Sequence, residues 1–91
     1  MSARLIRIEG RVQGVGYRDW ARRQAERLGL TGYVRNRPDG SVEVLVAGPA
    51  MALDIFITAC RHGPPSAHVS RLEHVPTEAP TEPGFRRLPT G

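Results

Sequence analysis

Three glycines fall within seven positions, Gly10, Gly14 and Gly16, and the segment Gly10-Arg11-Val12-Gln13-Gly14-Val15-Gly16-Tyr17-Arg18 runs straight into a helical pattern. A glycine-rich loop between a strand and a helix aims successive backbone N–H groups, and the positive end of the helix dipole, at one point. That point favours an anion. The spacing is not that of the nucleotide P-loop, because no Gly-Lys-Ser/Thr follows, and it is not the dinucleotide pattern Gly-x-Gly-x-x-Gly. On the glycines alone a tight turn with no ligand is an equal reading. Arg18 separates the two. A cation at the opening of a helix opposes the dipole and gains nothing structurally, whereas its guanidinium fork can take two oxygens of an anion held by the loop. This is the placement of a phosphate clamp.

A second polar group comes from Asn36, which stands between Arg35 and Arg37 at the end of an apolar, strand-like run. Its amide both donates and accepts and could orient a water molecule; on turn chemistry alone it reads first as the residue that opens the turn. The remaining reactive side chains argue by position. His62, His68 and His74 are spaced by six and have no cysteine cluster beside them. That is no zinc pattern, so solvent-facing histidines and no metal are expected. Cys60 lies in an apolar stripe far from the loop, as a small core residue would.

These groups need elements to hold them. Arg4 to Arg11 partly alternates and reads as a strand, with Arg4 and Arg7 on its open side. The glycine loop follows, and then a helix from Asp19 to Leu28 with Trp20, Ala21, Ala25 and Leu28 near one face and Gly29 at its end. Arg22, Arg23 and Arg27 fall on the solvent side of that helix. Thr31 to Asn36 is a second strand, Arg37-Pro38-Asp39-Gly40 a turn, and Ser41 to Ala47 a third strand with Val42, Val44 and Val46 on one side. Gly48-Pro49 opens a second helix, Pro49 suiting its first turn, with the stripe Leu53, Phe56, Ile57 and Cys60; Gly63-Pro64-Pro65 stops it. His68 to Val75 reads as a fourth strand. A proline-rich loop from Thr77 to Gly84 leads to a short Phe85 to Leu88 segment.

The order strand, helix, strand, strand, helix, strand (βαββαβ) is that of an α+β, ferredoxin-like two-layer sandwich, an antiparallel sheet with two helices on one face. One domain over residues 1–91 is all the chain allows, since a chain this short buries only about 60 to 65% of its unfolded surface. The 13 basic residues are all arginine and set against nine carboxylates they leave +4. Spread without a long basic run, that charge is a weak field for nucleic acid. No apolar run is long enough for a signal peptide or membrane helix. A single cysteine excludes an internal disulfide and points to a reducing, cytoplasmic setting. A monomer is the expected state.

The glycine loop taken together with Gly32-Tyr33-Val34-Arg35-Asn36-Arg37-Pro38-Asp39-Gly40-Ser41-Val42-Glu43 resembles the acylphosphatase family. The similarity runs through nearly the whole chain, including the element order and Gly63-Pro64-Pro65-Ser66-Ala67 before a strand. It implies that the loop residues Val12, Gln13, Gly14, Val15, Gly16, Tyr17 and Arg18 bind the substrate phosphate, chiefly through backbone N–H groups and the Arg18 guanidinium. It implies also that Asn36 positions the attacking water. The substrate would be a small acyl phosphate, the products a carboxylate and inorganic phosphate, and no cofactor would be needed. Tyr17 and Tyr33 stand where other aromatics are common in the family. The terminal Arg86-Arg87-Leu88-Pro89-Thr90-Gly91 is less characteristic, and no role is carried into it.

Two other readings compete. This fold also carries RNA-binding modules, but those present stacking aromatics on the central strands, where this chain's first and third strands offer Leu5, Ile6, Ile8, Val42, Val44, Leu45 and Val46 and no aromatic. The resemblance also permits a carbamoyl-phosphate-handling domain of a larger maturation enzyme; a chain running from Met1 to Gly91 favours a free-standing enzyme.

Overall fold

A computed structural model describes residues 1–91. Its elements are β1 (Ser2–Arg11), α1 (Tyr17–Arg27), β2 (Thr31–Asn36), β3 (Val42–Gly48), α2 (Ala50–Cys60), β4 (His68–Pro76) and β5 (Phe85–Arg87). The sheet order is β4-β1-β3-β2-β5. The four principal strands pair antiparallel, and the terminal segment adds what the sequence reading left undefined: β5 lies parallel to β2, with Gly32 opposite Phe85 and Val34 opposite Arg87. The expected antiparallel sheet therefore carries one short parallel edge.

Register explains the two layers. Ile6 pairs with Val44 and Ile8 with Val42, and Val34 with Val44, so the even-numbered residues of three neighbouring strands share one face. All five are fully buried beneath the helices. Arg4 pairs with Val46 and so falls in line with Ile6 and Ile8, which corrects its expected place on the open side; Arg7 is on the open side as read. From α1 come Tyr17, Ala21 and Ala25, spaced by four, and the two alanines let the helix backbone approach the sheet closely. From α2 come Leu53, Phe56, Ile57 and Cys60. Each large side chain buried here contributes roughly 1.5–3 kcal/mol. Phe85 joins the same core, tilted against Phe56 with ring centroids 6.2 Å apart. This contact docks β5.

Two helix starts differ from the sequence reading. α1 begins at Tyr17, two residues earlier than Asp19, because the Tyr17 ring packs edge-on to Trp20 and its hydroxyl donates to the Cys60 carbonyl at 2.6 Å. That bond pins the first turn of α1 to the last turn of α2. Pro49 precedes α2 as its cap, with φ −59° and ψ 142°, rather than sitting in the first turn. Arg23 and Arg27 face solvent as expected, while Arg22 is half-buried with an unpartnered Nε.

Candidate active site

The loop between β1 and α1 takes its shape from Gly14 at φ 73° and Gly16 at φ 79°. Nothing lies within 4 Å of where a Cβ would stand on either residue. Glycine is required there by the left-handed backbone, not by crowding. Gly16 is also the N-cap of α1 and offers no side-chain acceptor to the first-turn N–H groups. Those donors remain free for an anion.

Arg18, the second residue of α1, is half-buried, and its Nη1 donates to the Leu88 carbonyl at 3.0 Å. The carbonyl beyond β5 thus steers the guanidinium while the rest of the fork is left for a ligand. Asn36 ends β2, is 8% exposed, and its buried Oδ1 has no hydrogen-bond partner in the protein. Backbone bonds from Leu88 to Val34 and from Gly91 to Asn36 strap the C-terminal residues along this strand end.

These residues surround one cavity of about 150 Å³, lined by Val12, Gly14, Gly16, Tyr17 and Arg18 together with Asn36. Arg18 and Asn36, separated by a helix and a strand in sequence, therefore face the same space. Two of the expected loop residues do not line it. Val15 packs on the core, and the Gln13 side chain turns away to donate from Nε2 to the carbonyls of Arg37 (2.8 Å) and Ser41 (2.9 Å). Gln13 so ties the loop to the turn that follows Asn36. The Tyr17 ring also points away, into the core. Its hydroxyl is held protonated by burial, with its pKa well above the ordinary tyrosine value.

Two further lining residues were not anticipated. Asp19 and Arg87 complete the cavity wall and form an ion pair, Arg87 Nε to Asp19 Oδ1, at 3.0 Å. A carboxylate in the first turn of a helix is an ordinary dipole contact, but here it also faces the place where an anion is expected. The helical position of Asp19 was visible in the sequence. Its meeting with Arg87 at the other end of the chain was not.

A larger cavity, about 360 Å³, lies on the open face of the sheet, where Glu43 and Glu73 mix with Arg7 and Arg37. Its opposed charges offer no convergent donors for a phosphate. Cys60 is fully buried and its thiol is pushed up to about 12 by that burial. It is a core residue, as read. The three histidines are exposed, and no three His, Cys, Asp or Glu side chains converge as metal ligands. No helix is long and apolar enough to cross a membrane.

Fold and site together define a class: a small ferredoxin-like domain with an amide-rich, arginine-closed cradle between its first strand and first helix. The acylphosphatase family model matches residues 5–87. An acylphosphatase of Azoarcus sp. is 58% identical over 91 residues, covering 99% of this chain and 92% of its own length. One of Rhodospirillum rubrum is 51% identical over 90 residues, covering 99% of each chain. Among solved structures, the crystal structure of acylphosphatase from Bacillus subtilis superposes with a TM-score of 0.92 at 35% identity, over 97% of this chain and 99% of that one. The chain belongs to the acylphosphatase family.

Proposed function

We propose that this chain hydrolyses small acyl phosphates by direct attack of water, with the phosphate held by the Val12–Arg18 loop and the water positioned by Asn36. The observation that carries this reading is the convergence of the loop, Arg18 and Asn36 on one small cavity. The family match and the 51% identity to the Rhodospirillum rubrum acylphosphatase support this chemistry.

The chemistry asks little of the protein beyond placement. An acyl phosphate releases a carboxylate, whose conjugate acid has a pKa of about 4, so departure needs no strong general acid. What must be stabilised is negative charge on the equatorial phosphoryl oxygens. Main-chain N–H groups at the head of α1 and the Arg18 fork supply preorganised donors for it. The Asn36 amide, on the cavity wall, orients the attacking water by hydrogen bonding. An amide is a poor base, so the water's proton passes to a phosphate oxygen of the substrate. The oxygen of the water bonds phosphorus, the bond to the acyl oxygen breaks, and that oxygen leaves with its electron pair as carboxylate. No residue becomes phosphorylated, and no cofactor or metal enters.

The same reading makes the protein a cytoplasmic monomer that handles no nucleic acid. Its free, buried Cys60 suits a reducing compartment. The open sheet face carries one aromatic, Tyr33, already occupied by Arg35 over its ring at 5.6 Å and by its own bond to Glu43. Stacking on bases has no platform there.

Hydrolysis of acetyl phosphate by the wild type, with and without EDTA, tests the proposal alongside Arg18→Ala and Asn36→Ala. Activity should survive the chelator. Arg18→Ala should lose phosphate affinity and, with it, turnover, whereas Asn36→Ala should keep near-normal affinity for inorganic phosphate and lose turnover by about 10²-fold or more. Full activity in both variants would sink the site assignment, and loss to EDTA would sink the metal-free mechanism.

A further inference from the structure

We infer that Arg87 reads the acyl half of the substrate and selects acyl phosphates that carry a second carboxylate. The inference rests on the hydrolytic reading above and extends it to a residue which that reading does not use. Arg87 faces the same side of the sheet as Asn36, because it pairs with Val34, two positions earlier on β2. The next residue, Leu88, supplies the carbonyl that steers Arg18. Both proposed working residues thus neighbour Arg87, and all three line one cavity.

Depth separates the two arginines. Arg18 is half-buried against the loop, while Arg87 keeps 41% of its side chain exposed at the rim. A phosphate seated on the loop and Arg18 would direct its acyl group outward, past the rim. Arg87 spends only Nε, on Asp19, and its two Nη groups donate to no protein acceptor. Four N–H bonds in a planar array are therefore free where the acyl group must pass, a geometry suited to a carboxylate. Asp19 has the complementary part. It offsets part of the Arg87 charge and competes with a substrate carboxylate for the fork.

The test compares acetyl phosphate, which has no second charge, with succinyl phosphate, which has one. The wild type should favour succinyl phosphate. Arg87→Ala should raise KM for succinyl phosphate by about tenfold, the loss of one charge-assisted contact, while leaving acetyl phosphate within about twofold. Asp19→Asn should move the preference the other way by releasing the whole fork, and Arg87→Ala combined with Asp19→Asn should show no preference at all. A purely structural ion pair would lower the melting temperature in both single variants and leave the substrate ratio untouched. That result overturns the inference, as does an Arg87→Ala effect equal on both substrates or a lost preference in Asp19→Asn. Should the wild type fail on acetyl phosphate, the hydrolytic reading itself falls; a working wild type whose preference ignores Arg87 defeats the present inference alone.

Discussion

Gln13 shows how one side chain can serve a site from which it points away. Its amide bridges two carbonyls of the β2–β3 turn and so fixes the glycine loop relative to Asn36. Each of those carbonyls also accepts a backbone bond, from Gly40 or from Arg37, so removing Gln13 leaves neither wholly orphaned. Gln13→Ala should therefore cost only about 1–2 kcal/mol by urea denaturation. Its kcat/KM on acetyl phosphate should fall by more than that loss alone explains, because loop and asparagine would no longer be held in register. Unchanged turnover in a destabilised variant would reduce Gln13 to a stability residue. That Arg18 and Asn36 line one cavity fits what the sequence suggested, Arg18 from its place at the end of the glycine loop and Asn36 only through the family resemblance, since turn chemistry alone made it a turn residue. The direction of the Gln13 side chain was not legible, since its partners lie on the far side of a helix and a strand.

Among the elements, β5 has the most influence for its size. Three residues cover the edge of β2, plug Phe85 into the core, and lead directly to the carbonyl that holds Arg18. Phe85→Ala removes an aromatic ring from a nearly closed site, for which about 3–5 kcal/mol is the usual cost. The melting temperature should fall steeply, and activity below the transition should fall too, since Leu88 moves with the strand. A variant that melts early yet keeps full kcat would disconnect β5 from the site. The four antiparallel strands and both helices were legible from alternation, from the helical stripes and from the Pro-Asp-Gly turn. The parallel pairing of β5 was not, because three residues carry no period and the proline-rich stretch before them does not fix a direction. Arg4 was misplaced for a related reason: β1 mixes charged and apolar residues, and only its pairing with Val46 decides the face.

For the molecule as a whole, the chain has no lysine, and its buried acids Cys60 and Tyr17, joined by the half-buried Tyr33 whose pKa burial and its bond to Glu43 also raise, shape alkaline behaviour. Burial raises the folded pKa of Cys60 from 9.0 to about 12 and that of Tyr17 upward from 10.0. Well below pH 9 each is protonated whether the chain is folded or not, and none affects stability. Above it the unfolded chain releases protons that the folded one must keep, so stability declines by up to about 1.4 kcal/mol per pH unit for each group past its unfolded pKa. Denaturation midpoints should accordingly be level from pH 7 to 8.5 and drop by pH 10.5. A flat profile across that span would contradict the burial of Cys60 and Tyr17. Arginines keep their charge throughout this range, so the surface field that meets an anionic substrate does not weaken with them.

The bond from Arg18 to Leu88 joins residues 70 positions apart. During synthesis the glycine loop is made early, and the carbonyl that orients its arginine follows 70 residues later. A nascent chain can pair β1 with β3 and begin its core, yet it holds no finished anion site until its final strand has cleared the exit tunnel and docked. Catalysis would thus begin only once Leu88 has emerged, and a chain arrested with β5 still inside the tunnel would be chemically silent.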